Sequence, residues 1–302
     1  MRLARFVPLD RSCTVVRVAA RSIRGSRVLI TGASRGIGSG IAREVASRGA
    51  HPILIARNRA ALDELASELG HACVFAADLS ETEHLADLVA AIEQSGPIDV
   101  LVNNAGVDLT GRFWELDPRR IEHLVRLNLI APMLLCRAVL PGMLRAGNGH
   151  LVNVSSLAAT NTLPGLVPYG SSKAGLSHFT ACLRSELRGT PITTTLVQIG
   201  PVEGEMMAGL RAHPPTRRAV DRLSRLRLSF DLPMDGVVMK VVDAIERRRR
   251  HVVMPARDRA FPALVEMPRR MTEWLLMGVD HQSDEPASTA AATSVSTPKK
   301  EL

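Results

Sequence analysis

Thr31-Gly32-Ala33-Ser34-Arg35-Gly36-Ile37-Gly38 is the stretch whose reading decides the fold. It follows an apolar run, Arg27-Val28-Leu29-Ile30, that reads as a buried strand, and it opens a segment from Ile37 to Arg48 with helical periodicity. A strand, a glycine-rich turn and a helix N-terminus together suit the pyrophosphate of a dinucleotide. Glycines let the backbone approach the phosphates, and unpaired N–H groups and the helix dipole favour an anion.

Outward from this stretch, strands and helices alternate. Strands are predicted at 27–31, 52–56, 72–76, 98–103, 149–155 and 192–199, with helices at about 37–48, 59–69, 81–94, 117–145 and 168–188. Runs such as Pro52-Ile53-Leu54-Ile55 and Val100-Leu101-Val102 are apolar on both faces, as parallel strands covered by helices should be. The predicted fold is therefore α/β, a doubly wound parallel sheet in one domain with N- and C-terminal extensions. A helix at 233–247 and an edge strand, His251-Val252-Val253-Met254, follow. The four arginines between them, Arg247 to Arg250, read as a solvated turn, with an anion site as the minority view.

Composition bounds the function. The chain has 302 residues, 46% of them apolar and 3% aromatic, so the core is mainly aliphatic. The net charge of +8 comes without basic residues interleaved with aromatics, so no nucleic-acid partner is expected. Cys13, Cys73, Cys136 and Cys182 have no metal-ligand spacing and read as reduced, buried thiols, which suggests a cytoplasmic location and no metal. No apolar run approaches the ~20 residues of a membrane span.

Four segments fall outside the regular pattern. Residues 1–25 are arginine-rich and acid-poor, which fits a basic extension, a targeting peptide or a start assigned too early. In 200–232, Gly200, Pro201, Gly204, Pro214 and Pro215 prevent one continuous helix, and Met206, Met207 and Leu210 suggest a substrate lid, against an exposed linker. Residues 257–280 are an amphipathic helical segment, with Phe261, Leu264, Val265, Met271, Trp274 and Leu275 on one stripe. The segment suits a peripheral membrane contact, or a cap on the substrate cleft or a partner subunit. Residues 281–302 read as a disordered tail.

The Gly32-x-x-x-Gly36-x-Gly38 spacing resembles the cofactor loop of the short-chain dehydrogenase/reductase family. Asn103-Asn104-Ala105-Gly106, Asn128, Ser156 and Tyr169-x-x-x-Lys173 follow in that family's order, so the resemblance covers about Ser26 to Pro255. It implies that 26–256 form a catalytic domain binding a nicotinamide dinucleotide and a small-molecule carbonyl substrate, and that the chain forms a homodimer or homotetramer, often through the helix bearing Tyr169.

It also implies roles. Tyr169 would donate a proton, Ser156 would orient the carbonyl, with Ser155 the lesser choice, and Asn128 would position a water linking the lysine to solvent. Lys173, one helical turn from Tyr169, would hold the ribose and lower the phenol's pKa from about 10. Gly32, Ser34, Arg35, Gly36, Ile37, Gly38, Arg57, Asp78, Asn104, Ala105, Gly106 and Gly200 would join Tyr169 and Lys173 in binding the cofactor. Asp78 fits an adenine contact or a helix cap.

NADP(H) is the expected cofactor. The second strand ends Ile55-Ala56-Arg57-Asn58 with no acid for a ribose hydroxyl, and Arg35 matches the basic residue of NADP-preferring relatives. One departure stands out: Ile199-Gly200-Pro201 replaces the family's Pro-Gly, and Gly204 or Glu205 stands where relatives carry a threonine. The expected activity is reduction of an apolar ketone or aldehyde of lipid, acyl or steroid type. The alternative is a non-catalytic, membrane-associated dinucleotide-binding scaffold. The enzymatic reading requires the phenol oxygen to face the mouth of the crevice and not lie behind packed side chains.

Overall fold

A computed structural model describes residues 22–204, 207, 209–210, 213–225, 231–256, 263–264 and 267. All seven strands are parallel, in the order β3-β2-β1-β4-β5-β6-β7. They are β1 (Arg27–Thr31), β2 (His51–Ala56), β3 (Cys73–Ala76), β4 (Val100–Asn103), β5 (Gly149–Ser156), β6 (Ile192–Ile199) and β7 (His251–Met254). The helices are α1 (Gly36–Ser47), α2 (Arg59–Leu69), α3 (Leu85–Glu93), α4 (Pro118–Val125), α5 (Ala131–Arg145), α6 (Val167–Glu186), α7 (Pro214–Arg225) and α8 (Met234–Glu246).

Successive strand residues point to opposite faces, and the two faces bury separate cores. Val28 and Ile30 of β1, Leu54 of β2, Val102 of β4 and Val197 of β6 pack with Ile41 and Val45 of α1, Leu62 of α2 and Val241 of α8. Leu29, Ile53, Ile55, Leu101 and Leu151 face the other way, onto Val89 of α3, Leu135 and Val139 of α5 and Leu183 of α6. The two-sided apolar runs in the sequence are thus strands covered on both sides. A third apolar cluster lies off the sheet: Leu109, Leu124, Leu166, Tyr169, Met207, Leu210 and Val220.

Helix starts follow local chemistry. Asn58 accepts from the Ala61 amide at 3.1 Å to open α2, and Asp117 accepts from the Arg119 amide at 2.9 Å ahead of Pro118 to open α4.

As expected, 200–232 is not one continuous helix: Pro214 and Pro215 open α7, where a missing amide hydrogen costs nothing. Other expectations are corrected. Helix 117–145 is interrupted by a π-helical turn at Arg126–Ile130, although the run Pro118–Arg145 is long and apolar enough to cross a membrane by length and composition. Half of its most apolar window is buried in the fold. Cys136 is a buried thiol, but Cys73 and Cys182 are exposed, since they fall on an edge strand and an outer helix face. Glu205, Met206 and most of 257–280, 1–21 and 281–302 lie outside the described residues.

Candidate active site

The chain order reverses at β1, which has β2 on one side and β4 on the other, so a crevice opens at the carboxyl ends of these strands. Thr31, the last residue of β1, holds that crevice together. Its hydroxyl donates to the Val102 carbonyl at 3.3 Å and accepts from the amides of Asn104 and Ala105, both at 3.0 Å. The Asn104 side chain donates back to the carbonyls of Thr31 at 3.0 Å and Gly32 at 3.4 Å.

The glycine loop fits a pyrophosphate. A side-chain carbon on Gly38 would lie 2.1 Å from the Gly32 oxygen, and one on Gly32 would lie 2.9 Å from the Ala105 Cα, so the loop closes against the 104–106 segment only without side chains. Gly36, at φ +59°, differs: nothing lies within 4 Å of the place its side chain would take. Helix α1 starts there with no side-chain cap and no acid in its first turn. A tight floor, an open face and an uncapped helix N-terminus together make a phosphate cradle. Arg35, in extended conformation at that N-terminus, is exposed, and Ser34 and Ile37 are partly so.

Arg57 and Asp78 meet at the ends of β2 and β3, where Arg57 Nη1 lies 3.7 Å from Asp78 Oδ2. The Asp78 carboxylate also accepts from the Ser80 amide at 2.9 Å and the Ser80 hydroxyl at 2.7 Å. Asp78 thus closes the turn at Ser80 and stands beside the arginine, while the helical turn that follows, Thr82–His84, has no side-chain cap. Gly200 reads differently from expectation. Its amide donates to the Met254 carbonyl at 2.8 Å, because β6 and β7 approach closely there, so that amide is not offered to a cofactor.

Ser156 ends β5, and Tyr169 and Lys173 lie one turn apart on α6. Ser156 acts on the Tyr169 phenol, pulling its pKa down, and its hydroxyl accepts from the Ala158 amide at 3.1 Å, whereas the Ser155 hydroxyl is buried on the Lys173 carbonyl at 3.0 Å and the Ser177 hydroxyl at 2.8 Å. Of the serine pair, then, the second faces the phenol. Lys173 Nζ donates to the Val154 carbonyl at 3.0 Å and stands 5.9 Å from the centre of the Tyr169 ring. Asn128 sits on the π-helical turn. Its amide donates to the Val107 carbonyl at 2.8 Å and the Ser172 hydroxyl at 3.2 Å, and accepts from the Val107 amide at 2.9 Å. A side-chain carbon on Gly106 would lie 3.2 Å from Asn128 Oδ1 and 3.4 Å from Lys173 Nζ, so Gly106 is the gap through which these two groups approach.

Two expectations about Tyr169 need correction. Lys173 does not bring the phenol toward neutrality here: burial raises the phenol above its usual value, Ser156 pulls it down, and Asp108 raises it further. The largest cause is burial of the phenol itself; burial also disfavours the lysine's charge, pushing its pKa down to about 8. The phenol is also covered: Tyr169 is 8% exposed, with Leu109, Leu166, Met207, Leu210 and Val220 packed around it, so the condition set for the enzymatic reading is not met in this conformation and the reading needs the wall to open. Three of these belong to the segment expected to act as a lid. Helix α7 of that segment is pinned by Thr216, which donates to the Pro164 carbonyl at 2.8 Å and pairs with His213 at 2.8 Å.

The buried lysine has a measurable consequence. Between about 8 and its ordinary 10.5, Lys173 is charged when unfolded and neutral when folded, so stability gains as pH rises through this window. Cys136, pushed up to about 12 by burial, acts in the opposite direction, so the comparison must be made against Lys173→Met. The Tm of the cofactor-free protein should rise relative to that variant from pH 8 to 10; a constant difference would contradict a neutral buried lysine.

Residues 26–215 match the short chain dehydrogenase family. The ketoacyl reductase HetN of Nostoc sp. is 34% identical over 77% of this chain and 79% of its own length. Dehydrogenase/reductase SDR family member 7B of Bos taurus is 33% identical over 59% of this chain and 58% of its own length. Among solved structures, a metagenomic short-chain oxidoreductase in complex with NADP superposes with a TM-score of 0.63 at 30% identity, covering 77% of this chain and 96% of that one. A short-chain dehydrogenase from Sphingobium yanoikuyae in complex with NADPH superposes with a TM-score of 0.70 at 27% identity, covering 87% of this chain and 98% of that one. The chain belongs to the short-chain dehydrogenase/reductase family and is an oxidoreductase with a Rossmann-like fold.

Several residues of the site were not singled out in the sequence. Thr31 ends its strand like any β-branched residue, and only the pairing of β1 with β4 shows what its hydroxyl joins. Ser172 accepts from Asn128 and donates to the Tyr169 carbonyl at 2.7 Å; its place beside Lys173 was the available signal. Asp108 stands near the phenol with no motif to mark it.

Proposed function

We propose that this oxidoreductase is an NADP(H)-dependent carbonyl reductase acting on an apolar ketone or aldehyde of lipid, acyl or steroid type. The observation that carries the proposal is the meeting of Ser156, Tyr169 and Lys173 at one crevice, beneath a wall of Leu109, Leu124, Leu166, Met207, Leu210 and Val220. The cofactor, when bound, supplies a hydride to the carbonyl carbon.

The chain's own groups do the rest. Gly32, Gly36 and Gly38 with the α1 N-terminus hold the pyrophosphate. Ser156 donates a hydrogen bond to the carbonyl oxygen and keeps the phenol directed at it. Tyr169 gives its proton to that oxygen as charge builds there. A raised phenol pKa keeps Tyr169 protonated at neutral pH, the form needed for reduction, and an alkoxide is still basic enough to take that proton. Lys173, with Gly106 and Asn128 beside it, lies on the route by which a proton returns. The apolar wall excludes water, and Met207 and Leu210 must move for a substrate to enter.

Preference for NADP(H) over NAD(H) is supported by Arg57 at the end of β2, by Arg35 at the α1 N-terminus and by the NADP and NADPH bound in related structures. Removing a charge-assisted hydrogen bond costs about 1.5–3 kcal/mol, so Arg57→Ser should lower kcat/KM for NADPH by about 10- to 100-fold and leave NADH use nearly unchanged. Steady-state kinetics with both cofactors and a ketone panel decide it. Equal losses with NADPH and NADH would remove Arg57 from phosphate recognition, and wild-type preference for NADH would overturn the cofactor assignment. The scaffold alternative gains no support from a site in which Ser156, Tyr169 and Lys173 come together at one crevice.

A further inference from the structure

Among the described residues, a charged group meets the apolar wall above Tyr169 at the Val107–Leu109 segment. Val107 is held from both its amide and its carbonyl by Asn128, and Leu109 is buried in the cluster with Tyr169. Asp108 lies between them. Its carboxylate sits under the 207–210 turn: a side-chain carbon on Gly209 would lie 3.7 Å from Asp108 Oδ2. Asp108 is partly buried, and its charge is felt by the phenol of Tyr169.

A carboxylate in such a place is costly unless donors surround it. Its own amide donates to it, and Arg120 of α4 acts on it only at longer range; among the described residues no cation stands within ion-pair distance. Burial accordingly holds its pKa above the usual carboxylate range. Two residues on, Thr110 Oγ1 is buried without a hydrogen-bond partner among the described residues. A ligand on Tyr169 and Ser156 would therefore lie beside the Val107–Leu109 segment, whose Asp108 carboxylate has few donors among the described residues.

We propose that Asp108 is a specificity-determining residue: its carboxylate receives a hydrogen-bond donor carried by the carbonyl substrate, so the enzyme favours hydroxy- or amino-substituted carbonyl compounds over plain hydrocarbon ones. This rests on the carbonyl-reductase reading and narrows its substrate class. A site built to bond a donor rejects the analogue lacking it, because its own polar group is then left unpaired. The group sets substrate choice and, through its charge, shifts the phenol's pKa, while the proton itself comes from Tyr169.

The test is NADPH-dependent reduction of cyclohexanone, its positional hydroxycyclohexanones and the matching aminocyclohexanones, by wild type, Asp108→Asn and Asp108→Leu. Wild type should favour at least one hydroxy or amino isomer over cyclohexanone by about 10-fold or more in kcat/KM. In Asp108→Leu the ratio should fall toward one; in Asp108→Asn a preference for an ammonium should disappear while one for a hydroxyl partly persists. These two patterns separate the two donors. As a second readout, loss of the charge near Tyr169 should move the basic limb of the reduction profile to lower pH in Asp108→Asn. A wild-type ratio near one for every isomer, or a ratio unchanged in both variants, overturns the proposal while reduction itself stands. Absence of turnover with these ketones and with long-chain and steroid ketones, despite NADPH binding, overturns the carbonyl-reductase reading, and this subsite with it.

Discussion

Replacing Tyr169 by phenylalanine should lower kcat for NADPH-dependent carbonyl reduction by about 10²- to 10⁴-fold, the usual contribution of a positioned proton donor. The substitution deletes one oxygen. The ring stays packed against Leu109, Leu166, Met207, Leu210 and Val220, so the fold and the wall should persist. What is lost is the group that Ser156 and Asp108 act upon. NADPH affinity should change little, because the phosphates rest on the glycine loop at the far side of the crevice. Fluorescence titration of NADPH beside steady-state kinetics separates the two quantities. Turnover within a factor of two of wild type would remove Tyr169 from the chemistry.

The second large effect concerns the glycine loop, where two neighbouring positions should fail in different ways. In Gly38→Ala the new carbon would lie 2.1 Å from the Gly32 oxygen and 2.7 Å from Asn104 Nδ2. One of those atoms is backbone and the other is hydrogen-bonded to Thr31, so neither yields cheaply. An overpacking cost of about 3 kcal/mol should lower Tm by roughly 6–12 °C. Gly36→Ala meets no atom within 4 Å; it carries only the strain of φ +59° for a side chain, about 1–2 kcal/mol. Its larger effect should be on the cofactor, because the new methyl stands in the open space of the cradle, and NADPH affinity should fall by about 10-fold or more. Calorimetry and NADPH titration on both variants give the comparison. Unchanged NADPH affinity in Gly36→Ala would mean the phosphates bind elsewhere.

Much of this molecule was legible in its sequence because buried parallel strands leave a local signature. Val28 to Ile30 and Ile53 to Ile55 are apolar without alternation, and both sheet faces are covered. The glycine spacing was legible because the close approach of Gly38 to Gly32 excludes every other residue. Less legible was whatever depends on contacts distant in sequence. Nothing local shows that Thr31 bonds the 102–105 segment, or that Asn128 clamps Val107. Pro214 and Pro215 showed that 200–232 is not one continuous helix but not that they open one, because the residue that ends a helix from inside begins one at its first turn. The electrostatics of Tyr169 were misjudged for a similar reason. The helical spacing shows a lysine one turn away, but only the packed wall shows that both groups are dehydrated.

The most direct measurement of the central claim follows the transferred atom. Wild-type protein, NADPH carrying deuterium at the transferable position of the nicotinamide ring and a reducible ketone are incubated, and the alcohol is analysed by mass spectrometry. The account predicts one deuterium on the former carbonyl carbon for each NADPH oxidised, from one face of the nicotinamide, and its near-disappearance in Tyr169→Phe. NADPH that binds but is never consumed, or an alcohol formed without the label, would contradict it.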